Sequence, residues 1–215
     1  QPISGESGSP DLLRREAFSK HLANVLRIAP SDDCITVSLE GEWGYGKTSV
    51  INLVKKSLVN QENSPVIVEY NPWLAGKAEA LVQDFLVQFS SQLNIPDRPK
   101  EGLKAAKELL AYSELFNAMK FIPGVEPWAS TVQGVFKVVG GATKKISKLK
   151  ELDLIGRKNK INDLLKNLGV SIVVVIDDID RLTPDEAFQV VRLVKAVADF
   201  PGTSFLLSFD PTYLA

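Results

Sequence analysis

The sequence predicts an α/β fold around a parallel sheet, and three observations carry that expectation. Short apolar runs at Cys34–Leu39, Pro65–Tyr70, Ser171–Ile176 and Ser204–Phe209 alternate with segments of helical periodicity. The run Ile172–Ile176 is apolar and β-branched throughout, as strands covered on both faces tend to be. A glycine-rich turn, Gly41–Thr48, joins the first run directly to a helical segment. Strands and helices in alternation favour right-handed crossovers between parallel neighbours.

Each element can be justified in order. Residues 1–10 are polar and rich in Gly, Ser and Pro, and read as a flexible lead-in. From Asp11 to Ile28, Phe18, Leu22, Val25 and Leu26 fall at helical spacing. Val50, Ile51, Val54 and Leu58 line one face of a helix opening at Lys47. The second strand closes at Asn71-Pro72-Trp73. Leu81, Phe85, Phe89 and Leu93 then recur every four residues and mark a helix that stops before Pro96 and Pro99.

Residues 101–168 are helix-like but broken around Pro123, Pro127 and Gly140-Gly141. The stretch is too long for a simple crossover. It is expected to be an inserted helical subdomain between two halves of a core, 11–100 and 169–215. The last helix should begin at Thr183-Pro184-Asp185-Glu186, with Thr as N-cap, Pro at the first position and Glu at the third. Its expected buried face is Phe188, Val191, Val194 and Ala198.

Composition excludes several classes. With 45% hydrophobic and 24% charged residues and a net charge of −1, the 215-residue chain has the balance of a globular domain and no bulk attraction for polyanions. A spanning helix needs roughly 18 apolar residues in a row. The longest uncharged run, Phe85–Pro96, contains two serines, two glutamines and an asparagine. Cys34 is the single cysteine and has no internal disulfide partner, which fits a reducing compartment. The expected location is cytoplasmic, with peripheral membrane association as the alternative. The first eleven residues carry no signal-peptide pattern, and Gln1 in place of Met suggests a processed or excised fragment.

The chemistry centres on Gly41-Glu42-Trp43-Gly44-Tyr45-Gly46-Lys47-Thr48, a full match to G-x-x-x-x-G-K-T. The glycines let the backbone curl so that successive N–H groups face phosphate oxygens at the positive end of the following helix. In such a loop Lys47 reaches the β- and γ-phosphates and the Thr48 hydroxyl ligates Mg²⁺. A strand before the loop and an amphipathic helix after it supply the context that a chance glycine turn lacks.

A second element is the acidic end of the third strand, Asp177-Asp178. Loop and acids correspond to the Walker A and Walker B elements of nucleotide hydrolases. Asp177 is assigned to Mg²⁺ through water, since that ion keeps several waters. Asp178 is assigned to orienting or deprotonating the attacking water. A small-molecule kinase would not need the second acid. A GTPase would need an N-K-x-D base reader, and Asn159-Lys160-Ile161-Asn162 has the wrong last residue and precedes the acidic strand. ATP is therefore the expected nucleotide. Arg181 either stabilises transferred charge in a neighbouring subunit or pairs with Asp178 or Asp180. Asp210 is either a sensor near the γ-phosphate or a turn residue before Pro211.

These residues resemble the KAP family of P-loop NTPases. The likeness rests on Asp11-Leu12-Leu13-Arg14, on the loop Gly41–Ser49 with its internal Trp43, on Asn71-Pro72-Trp73, on Asp177-Asp178-Ile179-Asp180-Arg181-Leu182, and on Phe205–Asp210. It implies an additional-strand fold of sheet order 5-1-4-3-2, related to STAND and AAA+ ATPases, with the fifth strand missing here. It also implies ATP hydrolysis with Mg²⁺ coupled to assembly or signalling, with bacterial antiviral defence as the expected setting. Asp11 and Arg14 would lie near the base or ribose, and Glu42, Trp43, Tyr45 and Ser49 would line the nucleotide with the rest of the loop. Many members insert transmembrane helices where this chain has residues 101–168. Here Trp128, Val132, Val135, Phe136 and Val139 form only an interrupted amphipathic stretch around Lys137. Self-association or a partner protein is expected to act through C-terminal regions beyond this stretch, and the fragment alone is expected to be weakly active.

Lys137–Lys166 holds nine Lys/Arg against three Asp/Glu. Without interleaved aromatics, a solvated helix face explains this better than nucleic-acid binding. His21, the only histidine, has no metal partners nearby in sequence. Two rival readings are a nucleotide-gated interaction module with little turnover and a membrane-associated scaffold built on residues 121–150.

Overall fold

A computed structural model describes residues 14–59, 63–74, 80–119 and 143–213. Four strands, β1 (Ile35–Glu40), β2 (Val66–Tyr70), β3 (Ile172–Ile176) and β4 (Thr203–Phe209), form one parallel sheet in the order β1-β4-β3-β2. This is the expected order without a fifth strand among the described residues. Strand limits agree with the apolar runs to within a residue.

Alternation sorts the strand side chains onto two layers. Val173 and Val175 of β3 and Leu206 of β4 face α1 (Glu16–Leu26) and α2 (Lys47–Val59), and pack on Leu22, Leu26, Val50, Ile51, Val54 and Leu58. Ile172, Val174, Ile176, Phe205 and Leu207 face the other way. There they meet α3 (Leu81–Gln92), α4 (Pro99–Met119), α5 (Thr143–Leu168) and α6 (Pro184–Arg192). Phe85 is central to this second layer, with its ring centroid 5.2 Å from Tyr70, 5.7 Å from Phe89 and 6.2 Å from Phe205.

Residues of the 101–168 stretch are built into this same core. Ala105, Leu109, Tyr112 and Phe116 of α4, with Leu154, Ile161, Leu165 and Leu168 of α5, are buried and continuous with the sheet's cluster. Trp128, Val132, Val135, Phe136 and Val139 lie outside the described residues. No helix among the described residues is long and apolar enough to cross a membrane. Part of the basic excess in α5 is neutralised locally. Arg157 and Lys160 both contact the mostly buried Glu108, at 3.1 and 2.6 Å, and Lys158 pairs with Asp199.

Two helix faces differ from the sequence expectation. In α1 the buried residues are Ser19, Leu22, Ala23 and Leu26, while Phe18 and Val25 are exposed. In α6 and its continuation they are Ala187, Val190, Leu193, Val194, Val197 and Ala198, while Phe188 and Val191 are exposed. Both buried faces mix small residues with leucine or valine, and the rings of Phe18 and Phe188 turn outward. The exposed Phe188 ring lies under the Arg192 guanidinium, 5.3 Å away. From Leu193 to Val197 the helix widens to a π turn, closed by a 3.0 Å bond from the Ala198 N–H to the Leu193 carbonyl.

The start of α6 follows the sequence. The Glu186 N–H donates to the Thr183 Oγ1 at 3.4 Å, and the Thr183 N–H donates to the Glu186 Oε2 at 2.9 Å. On the outer edge of β2, the Gln92 side-chain amide takes a neighbouring strand's role. It accepts from the Glu69 N–H and donates to the Glu69 carbonyl, both at 2.8 Å.

Candidate functional site

All four strands end on one side, and the loop after β1 lies across that edge, where open α/β sheets bind ligands. Gly44 and Gly46 hold φ of 86° and 80°, a left-handed backbone that favours glycine. The loop is tied to β4 by two bonds. The Gly41 N–H donates to the Phe209 carbonyl at 3.3 Å, and the Trp43 N–H donates to the Asp210 Oδ2 at 2.9 Å.

Asp210, 2% exposed, also accepts from the Thr212 hydroxyl at 2.6 Å and the Thr212 N–H at 3.0 Å. Its carboxyl is held below the ordinary value, first by the Thr212 hydroxyl, then by the two N–H groups and the Lys47 charge, while desolvation works against them. Of the two expectations for Asp210, its bonds to Thr212 fit the turn residue before Pro211, and its bond to the Trp43 N–H also ties that turn to the glycine loop.

Lys47 and Thr48 open α2. The Lys47 Nζ bends back over the loop and donates to the Gly41 carbonyl at 2.7 Å and the Glu42 carbonyl at 3.4 Å. The Thr48 Oγ1 donates to the Asp177 Oδ2 at 3.1 Å, although the two lie 129 residues apart. The other Asp177 oxygen accepts from the Asp178 N–H at 2.9 Å, which fixes that carboxylate's orientation.

Asp178 has φ of 59°, a left-handed conformation uncommon outside glycine, and one that an aspartate tolerates better than most residues. Partial burial and the Asp177 carboxylate raise its carboxyl above the ordinary value. Arg181 pulls it part of the way back, and Asp180 adds to the rise. The Arg181 guanidinium lies 2.9 Å from the Asp178 Oδ2 and sits over the Trp73 ring at 5.4 Å. Of the two expected roles for Arg181, its contact here is the pairing with Asp178. Trp73, which closes the second strand, is thereby brought beside the Asp178–Arg181 pair.

Among the remaining assigned residues, Glu42, Trp43 and Tyr45 are exposed on the loop and Ser49 is buried in α2. Trp43 and Tyr45 are 75% and 67% exposed, unusual for large rings and open to a ligand over the loop. Asp11 lies outside the described residues. Arg14 is exposed, with φ of 52°. Its neighbour Arg15 reaches the loop instead, donating to the Tyr45 carbonyl at 2.8 Å and the Gly46 carbonyl at 3.1 Å. Sequence reasoning missed this contact, because an arginine at a helix start has no distinguishing spacing. Burial, then the nearby Asp199, pushes the Cys34 thiol up to about 11, which keeps it protonated and a poor nucleophile.

A glycine loop between a parallel strand and a helix, facing a carboxylate at the end of a second strand, defines a P-loop NTPase domain. The comparison with known families narrows this class. The profile of the KAP family P-loop domain matches residues 15–215, and the chain belongs to that family. The chain is also 27% identical over 210 residues to the Phage T7 exclusion protein of Escherichia coli (strain K12). That alignment covers 90% of this chain but 28% of the relative, so the chain spans under a third of that protein's length.

Proposed function

We propose that the chain binds ATP with Mg²⁺ and hydrolyses its terminal phosphoanhydride, and that turnover drives or resets an assembly or signalling step in defence against phage. The observation that carries the reading is the 3.1 Å contact between the Thr48 hydroxyl and the Asp177 carboxylate. It places two hard oxygen donors together beside the glycine loop, a donor set that suits Mg²⁺. The choice of ATP follows from the missing guanine reader. The defence role follows from the phage-exclusion relative. In this reading residues 101–168 are an insertion whose base, α4 and α5, is built into the nucleotide-binding core.

The chain's own groups divide the work. Backbone N–H groups of the loop and the α2 N-terminus receive the phosphates. Lys47 exchanges its bonds to the Gly41 and Glu42 carbonyls for phosphate oxygens, so its charge is already at the loop before the ligand arrives. When bound, Mg²⁺ would neutralise charge on the β- and γ-phosphates. Asp178 orients a water toward the γ-phosphorus. The water oxygen bonds to phosphorus, the bond to the bridging oxygen breaks, and the water's proton passes to Asp178. A carboxyl raised above its ordinary value is a better acceptor for that proton.

One contact favours a second reading. The Asp178 carboxylate is held by Arg181 at 2.9 Å, which would slow turnover and suit a nucleotide-gated interaction module. Phosphate release from ATP and GTP, beside Lys47→Ala and Asp178→Asn, separates the two. For an ATPase, Lys47→Ala abolishes release, and Asp178→Asn lowers it about 100-fold or more while ATP binding persists. Release that survives Lys47→Ala would sink the assignment, and tight ATP binding without turnover in the unaltered chain would select the second reading.

A further inference from the structure

We infer that Arg15 is a positioning residue of the phosphate loop, acting from the side opposite the ligand. The inference rests on the nucleotide-binding reading of Gly41–Thr48 and adds a residue to it. Arg15 stands at the N-cap of α1 and is partly buried. Its guanidinium spans the last two peptide units before Lys47, with NH2 on the Tyr45 carbonyl at 2.8 Å and NH1 on the Gly46 carbonyl at 3.1 Å.

In a trans peptide the carbonyl and the N–H of one unit point in opposite directions, and the described residues contain no cis bond. Holding the Tyr45 carbonyl outward therefore aims the Gly46 N–H inward, and holding the Gly46 carbonyl does the same for Lys47. These are two of the donors a phosphate would meet. A cation on the carbonyl oxygen also polarises the amide, which strengthens its N–H as a donor.

The fit is close on the loop side. A Cβ on Gly46 would stand 2.0 Å from the Arg15 NH1. Glycine at this position thus serves two ends: φ of 80°, and room for the guanidinium. The Gly46 carbonyl also accepts from the Val50 N–H at 3.1 Å, so the clamp joins the start of α1 to the first turn of α2. Arg15 directs its hydrogen bonds to the Tyr45 and Gly46 carbonyls, both on the glycine loop. Its effect is expected on the phosphate chain alone.

The test compares ATP with inorganic tripolyphosphate, each with Mg²⁺, on the full chain and on Arg15→Ala and Arg15→Lys. Arg15→Ala should weaken both probes by a similar factor, about tenfold, as loss of two charge-assisted hydrogen bonds to the loop predicts. Arg15→Lys keeps the charge but not the fork, and should fall between. The melting temperature should stay within a few degrees, which separates positioning from a folding defect. Weaker ATP binding with tripolyphosphate unchanged would place Arg15 at the base or ribose and overturn the inference. So would affinities for both probes within twofold of the unaltered chain while Lys47→Ala still abolishes binding. If the unaltered chain binds neither probe, the inference and the nucleotide reading fail together.

Discussion

The two faces of the sheet are built differently. The face covered by α3, α4, α5 and α6 holds the fully buried rings Tyr70, Phe85, Phe89, Tyr112, Phe116, Phe200 and Phe205. The face covered by α1 and α2 is smaller, and its buried cluster is aliphatic throughout. Yet α2 carries Lys47 and Thr48, and the start of α1 carries Arg15. On the proposed reading, the aromatic layer is the stable side, whereas the thinner layer holds groups that exchange partners with an incoming phosphate. Lys47 on the Gly41 carbonyl and Thr48 on Asp177 are hydrogen bonds that a ligand can exchange at little cost. A ring wedged among other rings has no such exchange available.

The sharpest way to break this contrast is Phe85→Ala. Truncating a fully buried ring at the centre of the aromatic layer should cost about 3–5 kcal/mol and lower the melting temperature by roughly 6–20 °C. A loss no larger than that of an exposed position would show that the two faces contribute alike.

A smaller effect is expected at the border of the same layer. Thr183→Ala removes the reciprocal cap of α6 and should cost about 1 kcal/mol by denaturant titration. Rates of phosphate release should change little, because the cap lies beyond the Asp178–Arg181 pair. A large fall in rate with stability intact would move the border of the functional region into α6.

The subtlest change concerns pH. Arg181→Met removes the cation that lowers the Asp178 carboxyl, so that carboxyl should rise further above its ordinary value. If Asp178 acts ionised, as proposed, the acid limb of phosphate release should move to higher pH. A carboxyl raised in the folded state binds protons that the unfolded chain does not, so its contribution weakens as pH rises from the ordinary value through the folded one. Removing Arg181 should deepen that loss. An acid limb that stays in place or moves down would detach Asp178 from the rate.

What could be read from the sequence divides along similar lines. The glycine loop, the paired acids and the Thr183 cap are local patterns, each set by a few adjacent residues, and each is found where expected. Strand limits were legible because buried parallel strands are unbroken apolar runs. Helix faces were less so. Helical spacing predicts Phe18 and Phe188 on the buried faces of α1 and α6, whereas both rings are exposed and Ser19, Ala23 and Ala187 are buried. Spacing within one helix does not by itself fix which stripe meets the rest of the fold. The contacts of Arg15, Trp73 and Asp210 were the hardest to foresee, since each depends on which strand ends become neighbours. Trp43 and Asp210 are 167 positions apart, and only the pairing of β1 with β4 joins them.

The Gln92 amide on β2 has a consequence for how the molecule meets copies of itself. An edge strand offers its unpaired N–H and carbonyl groups to any passing chain. At Glu69 both groups are already taken, by a side chain anchored at the end of α3. A foreign strand arriving there would have to evict a partner of equal quality, and would gain no net bond at that register. The β2 edge is thus capped at Glu69 by the molecule's own α3.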